Sequence, residues 1–326
     1  MAARRRVTSV DVAKEAGVSQ TTVSYVLNDV PHQKISEETR RRVLAAVDRL
    51  GYTPSAAARS LRRGRNDIVL LWSRNLPVGP TMAGLIEHLT DALEVHGLTV
   101  VTRLERDRPI AASWRELNPA AVVLFTDLGP GDREQMEAAG TRVVHNWLDG
   151  SGHDDFTRSQ THVGRTQARH LIGTGRTRLG YAAPGDARLL DFFELRLRGV
   201  RQECERQGVA APDVREVPLE ADAAAEAVLG WHAAGVTGVC AYNDELAFAL
   251  LAGVRRAGLA VPGDLAVIGV DDIPLAGLAV PPLTTIRQDM AVLAGHLARR
   301  VLVALGGDAA APEPAPMARL VVRESA

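Results

Sequence analysis

At 326 residues the chain is too long for one small domain and points to two or three. An apolar fraction of 46% is ample for a buried core, yet no run approaches the ~18–20 apolar residues of a membrane span. The formal net charge of −1 conceals a segregation: residues 1–65 hold thirteen Lys and Arg against six Asp and Glu, a net +7, which leaves −8 on the remainder. A basic head on an acidic body fits a polyanion-binding module joined to something else.

The opening residues, MAARRRVTSV, carry no apolar h-region, so a secretory signal is not expected. In VTSVDVAKEAGVSQTTVSYVLN, Ser9 is placed to cap a first helix over Val10–Ala16, with Val12, Ala13 and Ala16 inward and Gly17 ending it. Val18 plugs between the helices, and Ser19 caps a second, Gln20–Asn28, with Val23, Val26 and Leu27 inward. Gln20, Thr21, Ser24 and Tyr25 then face outward. Gln can pair bidentately with adenine, Thr can touch a thymine methyl or a phosphate, and Ser can hold phosphate. Two short helices joined through Gly17 make a helix-turn-helix, a unit that sets a helix end in the major groove of DNA.

Ser36 heads a third helix, with Glu37 and Glu38 at its positive end, Gly51 as its stop, and Val43, Leu44, Val47 and Leu50 at core spacing. Arg40, Arg41 and Arg42 face solvent or phosphates. Pro54 stops any continuation, and Ser55 can cap a short segment, Ala56–Arg62, that is too short to hold a helix alone in water. Its alanines, its cap and its one large apolar residue, Leu61, suggest a helix that forms conditionally.

DVAKEAGVSQTTVSYVLN followed by YTPSAAARSLRR resembles the head and hinge of the lactose/galactose-repressor family of bacterial regulators, in order and at the family's spacing. The resemblance implies that Gln20, Thr21 and Tyr25 read bases, and that Thr8, Ser19, Thr22, Ser24, Asn28 and His32 hold phosphates. It also implies a hinge that pairs across a dimer and wedges Leu61 into the minor groove, with Ala58 and Arg62 beside it. The loop VPHQKIS is about two residues longer than in familiar members. The resemblance divides the chain into a head, 1–52, a hinge helix and linker, 53–66, and an effector-binding core, 67–326.

From Asp67 onward, apolar runs alternate with helical stretches. Strands are expected at 68–72, 98–103, 120–126, 142–146, 178–182, 214–218, 236–242 and 265–270, with a last strand near the C-terminus. Helices such as Met82–His96 and Glu245–Ala257 are ended by Gly97 and Gly258. This βα alternation argues for parallel sheets covered on both faces, in two doubly wound lobes. Ligands in such folds bind at the carboxyl ends of the strands.

The body resembles the same family's core, which shares the fold of periplasmic sugar-binding proteins (type I), most strongly through RLRG, AYNDELAFALL, DLAVIGVDDIPLA and PPLTTIRQDM. The resemblance implies a first lobe of about 67–156 and 288–308 and a second of about 157–287 and 309–326. Crossings would fall near Phe156–Arg158, Thr285–Gln288 and Gly307–Ala311. Carried over by position, Arg196, Asn243, Asp271 and Gln288 line the effector cleft. Asp271 either binds ligand or caps the helix that follows, and Asp244 and Asp272 are placed as caps. Trp72 and Trp147 end first-lobe strands, where each either stacks on a flat or sugar-like ligand or packs in the core.

No G-x-S-x-G elbow, P-loop or H-E-x-x-H occurs, and the Gly-containing turns lack a cofactor fingerprint. Cys204 and Cys240 provide neither a disulfide framework nor metal spacing. Neither an enzyme, nor a cofactor, nor a metal is expected. The expectation is a cytoplasmic, homodimeric transcription regulator, a repressor, that binds a pseudo-palindromic operator under control of a small-molecule effector, a carbohydrate among the candidates. The rival readings are a solute-binding protein and a nonspecific architectural DNA binder, which salt and competitor dependence would separate.

Overall fold

The computed structural model describes residues 7–27, 35–52, 66–74, 77–105, 110–125, 128–129, 131–145, 155–307 and 318–326. The chain divides into two compact units, Met1–Asn66 and Asp67–Ala326.

The first unit holds α1 (Ser9–Ala16), α2 (Gln20–Leu27) and α3 (Glu37–Leu50) around Val12, Ala13, Ala16, Val23, Val26, Val43 and Ala46. Local chemistry sets the boundaries. Gly17 and Gly51 end α1 and α3 in the left-handed region, at φ 64° and 61°. Ser19 and Ser36 cap the next two helices by accepting the Thr22 and Thr39 amides at 3.0 and 3.2 Å. The cap of α1 differs from the expectation. Thr8, not Ser9, caps it, because only Thr8 has an acid three residues on, and Thr8 and Asp11 close a reciprocal capping box. Leu44 also departs from the expected core: it is 44% exposed and Ala46 takes the inward position. Arg49 donates to Glu15 at 2.9 Å, tying α3 to α1.

In the second unit, β1 (Ile68–Arg74), β2 (Thr99–Glu105), β3 (Ala121–Leu124) and β4 (Arg142–His145) form a parallel sheet in the order β2-β1-β3-β4. Side chains alternate across it. Val69, Leu71, Ala121 and Val123 meet the leucines of α4 (Pro80–Glu94). Leu70, Trp72, Val122 and Leu124 meet Ile110 and Trp114 of α5 (Ile110–Leu117) and Met136 of α6 (Asp132–Ala138).

The second sheet runs β10-β9-β8-β7-β5-β6, built from β5 (Leu179–Ala183), β6 (Asp213–Glu216), β7 (Gly238–Ala241), β8 (Ala266–Asp271), β9 (Thr284–Gln288) and an antiparallel edge strand, β10 (Ala318–Val321). The other pairings in it are parallel. Its helices are α7 (Asp155–Gly173), α8 (Leu190–Arg206), α9 (Ala221–Ala233) and α10 (Asp244–Arg256). The strand β9 has no counterpart among the eight expected body strands. Its first two residues are buried threonines: Thr285 donates to Asp244 at 2.6 Å, and the Thr284 amide donates to Ser325 at 2.8 Å. The helix α11 (Met290–Ala304) returns to the first sheet and packs Leu293, Leu297 and Val301 with Leu85, Leu89 and Leu93. The chain therefore passes between lobes after β4, at Gln288–Met290, and between α11 and β10.

The helices α7 and α8 approach to backbone contact. A Cβ on Gly164 would lie 1.9 Å from the Arg196 carbonyl, and one on Gly199 would lie 2.0 Å from that of Thr161. Glycine at these two places sets where the side chains of Gln160 and Arg196 stand.

Candidate functional site

A cavity of about 140 Å³ opens between the lobes. The first lobe supplies Thr81, Met82 and Leu85 of α4 and, through α11, Met290 and Leu293. The second supplies Arg196, Asn243 and Asp271, and Gln288 stands at the passage between them. The four residues carried over from the family resemblance thus line one space.

Four polar side chains close a ring there. Arg196 donates from Nε to Gln160 at 2.8 Å, and Gln160 donates to Gln288 at 2.8 Å. Gln288 donates to Asp271 at 2.8 Å, and Asp271 faces Arg196 Nη2 at 3.9 Å. Arg196 is only 4% exposed, donates from Nη1 to the Tyr242 carbonyl at 2.6 Å and lies over the Tyr242 ring. A buried guanidinium with these partners meets the requirement that buried charge be paired and hydrogen-bonded. Burial raises the Asp271 carboxyl above its ordinary range, more than Arg196 and Gln288 pull it down, and the Thr81 side chain also bonds it.

Asp271 and Asp272 have positive φ, 114° and 54°. The second value is the left-handed region that Asp tolerates; the first is a strained backbone for any residue with a Cβ. Asp272 does not cap a helix as expected. Its carboxylate is buried and holds two arginines, Arg287 of β9 (Nε at 2.6 Å) and Arg323 after β10 (2.7 Å). Asp244 is not the cap of α10 either. Asn243 is, accepting the Leu246 amide at 3.0 Å. Asp244 instead turns inward, accepts from Thr285 and from the Ile273 amide at 2.9 Å, and is pushed by burial up to about 7. Gly269 makes room for it, since a Cβ there would sit 2.2 Å from the carboxylate.

Trp72 is not at the cleft. It is 1% exposed and lies on the sheet face covered by α5 and α6, because side chains two apart share a face and Leu70 is already in that core. Trp147 lies outside the described residues, as do Asn28, His32 and the hinge residues Ala58, Leu61 and Arg62. Gln160, Thr81, Tyr242 and Phe192 are cleft residues that sequence reasoning did not find. Gln160 sits in SQTHV, where nothing distinguishes it from other polar helix residues.

In the head, Gln20 and Thr21 are exposed at the start of α2, while Ser24 and Tyr25 are half-buried. Gln20 donates to Ser9 at 2.8 Å. The Ser19 hydroxyl also bonds that of Thr22 at 2.9 Å, and Thr8 is engaged with Asp11. Among the described residues no helix is long and apolar enough to cross a membrane, and no cluster of His, Cys, Asp or Glu could hold a metal.

A helix-turn-helix unit joined to a two-lobed α/β unit with a polar cleft defines the class of ligand-responsive DNA-binding regulators. Residues 8–55 match the family described as bacterial regulatory proteins, lacI family, and residues 168–326 match the periplasmic binding protein-like domain. The chain is 31% identical over 310 residues to the ribose operon repressor of Escherichia coli (strain K12), covering 91% of this chain and 92% of that protein. It is 31% identical over 347 residues to the transcriptional regulator MalR of Streptomyces coelicolor, covering 97% and 95%. Among solved structures it is similar to a lac repressor dimer bound to operator and the anti-inducer ONPF, with TM-score 0.76, 22% identity and 98% and 99% coverage. It is also similar to the transcriptional regulator CelR in complex with cellobiose, with TM-score 0.66, 27% identity and 98% and 100% coverage. The chain belongs to the lacI family of bacterial regulatory proteins. It is a DNA-binding transcription regulator, not an enzyme.

Proposed function

We propose that this protein is a cytoplasmic repressor that binds a pseudo-palindromic operator as a homodimer and is controlled by a carbohydrate effector in the interlobe cleft. The observation that carries the effector class is the ring of Arg196, Gln160, Gln288 and Asp271. It alternates donors and acceptors around a space walled by Met82, Leu85 and Phe192. Vicinal hydroxyls both donate and accept, so a sugar can replace each bond it breaks, while its C–H faces rest on the apolar wall. The relative that holds cellobiose supports this reading.

In the head, Gln20, Thr21 and Tyr25 read bases, and Thr8, Ser19, Thr22 and Ser24 hold phosphates; Gln20 exchanges Ser9 for a base edge at little cost. A change of lobe angle on effector binding alters the hinge, and a coupling of ~1–3 kcal/mol is enough for such a switch. A second copy covers the exposed apolar loop between β8 and β9, where Leu278 and Val280 are 75% and 91% exposed.

Footprinting upstream of the gene and its neighbours, with and without a sugar panel, tests this. Protection of a palindromic site that one sugar changes is expected. Equal protection of all sequences, or a site indifferent to every sugar, would sink the proposal.

A further inference from the structure

The cleft continues into a second chamber of about 440 Å³. The two share Pro77, Leu189, Tyr242, Asn243 and Glu245, so one ligand can occupy both. The outer chamber lies between the loop after β5, which carries Asp186, and the loop after β6, which carries Leu219. The inner chamber alone is smaller than the ~300–1,000 Å³ of small-molecule pockets, so a ligand seated at Arg196 that fills an ordinary pocket extends into the outer chamber, which is itself within that range.

The walls also have a sign. Among the described residues that line the two chambers, Arg196 is the one cation, and it is already paired with Asp271. Against it stand Asp271, which it pairs, Asp186, whose carboxylate Arg188 holds at 2.8 Å, Asp244, which burial raises to about 7, and Glu245, for which no cation remains among the described lining residues. Glu245 stands in the shared wall, and the bond it accepts there comes from the neutral Asn243 amide at 3.3 Å. A phosphate or carboxylate on the ligand would meet the Glu245 carboxylate in the wall that the two chambers share. Hydroxyl groups would donate to it.

We infer that the effector is an uncharged sugar of two linked rings, with one ring on the Arg196–Asp271 pair and the second in the outer chamber, its hydroxyls donating to Glu245 and Asp186. This rests on the carbohydrate reading of the cleft. Leu219 is 64% exposed on the outer wall and can be enlarged without disturbing the core, whereas Leu229, 50% exposed on α9, lines neither chamber.

The test is titration calorimetry on the full chain and on Leu219→Trp and Leu229→Trp. The probes are glucose, galactose and ribose, the disaccharides maltose, cellobiose and lactose, and glucose 6-phosphate. One disaccharide should bind at least tenfold more tightly than any monosaccharide. Leu219→Trp should abolish that advantage while monosaccharide binding persists, Leu229→Trp should change nothing, and glucose 6-phosphate should bind more weakly than glucose. A monosaccharide binding as tightly as every disaccharide, a disaccharide indifferent to Leu219→Trp, or preference for the phosphate would overturn the inference and leave the carbohydrate reading standing. Binding of no sugar would overturn both.

Discussion

Asp271 combines a strained backbone with a carboxylate in the cleft, and the two can be separated by comparing Asp271→Ala with Asp271→Gly. Both remove the carboxylate that Gln288 bonds at 2.8 Å and that faces Arg196 at 3.9 Å. Breaking a buried pair costs ~3–5 kcal/mol. The lower end applies here, because Arg196 keeps Gln160 and the Tyr242 carbonyl, and burial already disfavours the ionised Asp271. The two variants differ at the backbone. At φ 114°, alanine keeps a strain of ~1–3 kcal/mol and glycine releases it. Against that, glycine loosens the unfolded chain by ~0.4–1 kcal/mol. The glycine variant should therefore be the more stable by about 1 kcal/mol, which is ~2–4 °C in Tm for a domain of this size. That inverts the usual ranking of the two residues in regular structure. Scanning calorimetry on the full chain, following the transition of the two-lobed unit, measures the difference. An alanine variant melting at or above the glycine variant would refute the strain argument.

Asp244 is buried and raised to about 7, against 3.8 in the unfolded chain. The folded state therefore holds the proton longer, and stability should fall by up to a few kcal/mol as pH rises from about 4 to 7; denaturant melts across that window should show Asp244→Asn flattening the slope. Gly164→Ala would gain roughly 1 kcal/mol in an ordinary helix, but here the new Cβ meets the Arg196 carbonyl. It should instead cost at least ~1–3 kcal/mol and weaken effector binding without touching ligand, as calorimetry would show. Val280→Asp, at a 91% exposed site, should leave the fold intact and shift sedimentation from dimer to monomer.

The parts legible in the sequence are those set by neighbours in the chain. Gly17, Gly51, Ser19 and Ser36 mark helix ends by chemistry that acts within four residues, and the apolar runs of β1 and β3 declare strands. Errors arise where a choice depends on something further away. Thr8 and Ser9 are equally good caps until Asp11 is counted. Leu44 fits the helical period, yet the small Ala46 is what the packed α1 and α2 admit. The strand β9 is hidden because its buried threonines are satisfied by Asp244 and by the tail at Ser325 and Ala326, both about forty residues distant. Arg196, Asn243, Asp271 and Gln288 are legible through the family resemblance. Gln160 is not legible from its neighbours, since its partner Gln288 lies 128 residues away.

The four side chains of the ring satisfy one another, and this constrains what can bind. Each hydrogen bond a ligand makes to Arg196, Gln160, Gln288 or Asp271 replaces one that exists, so the net gain per bond is small. A ligand with one polar group would leave buried donors unsatisfied and be rejected; one with several hydroxyls re-satisfies them all. The geometry it must match is held from behind. Asp272, adjacent to Asp271, is clamped by Arg287 and Arg323, and the Ser325 hydroxyl donates to the Val267 carbonyl at 2.6 Å. The Asp271 carboxylate in the cleft is thus positioned by the C-terminal tail. Substituting Arg323 should loosen effector selectivity before it lowers affinity, because the ring can still form but no longer in one place.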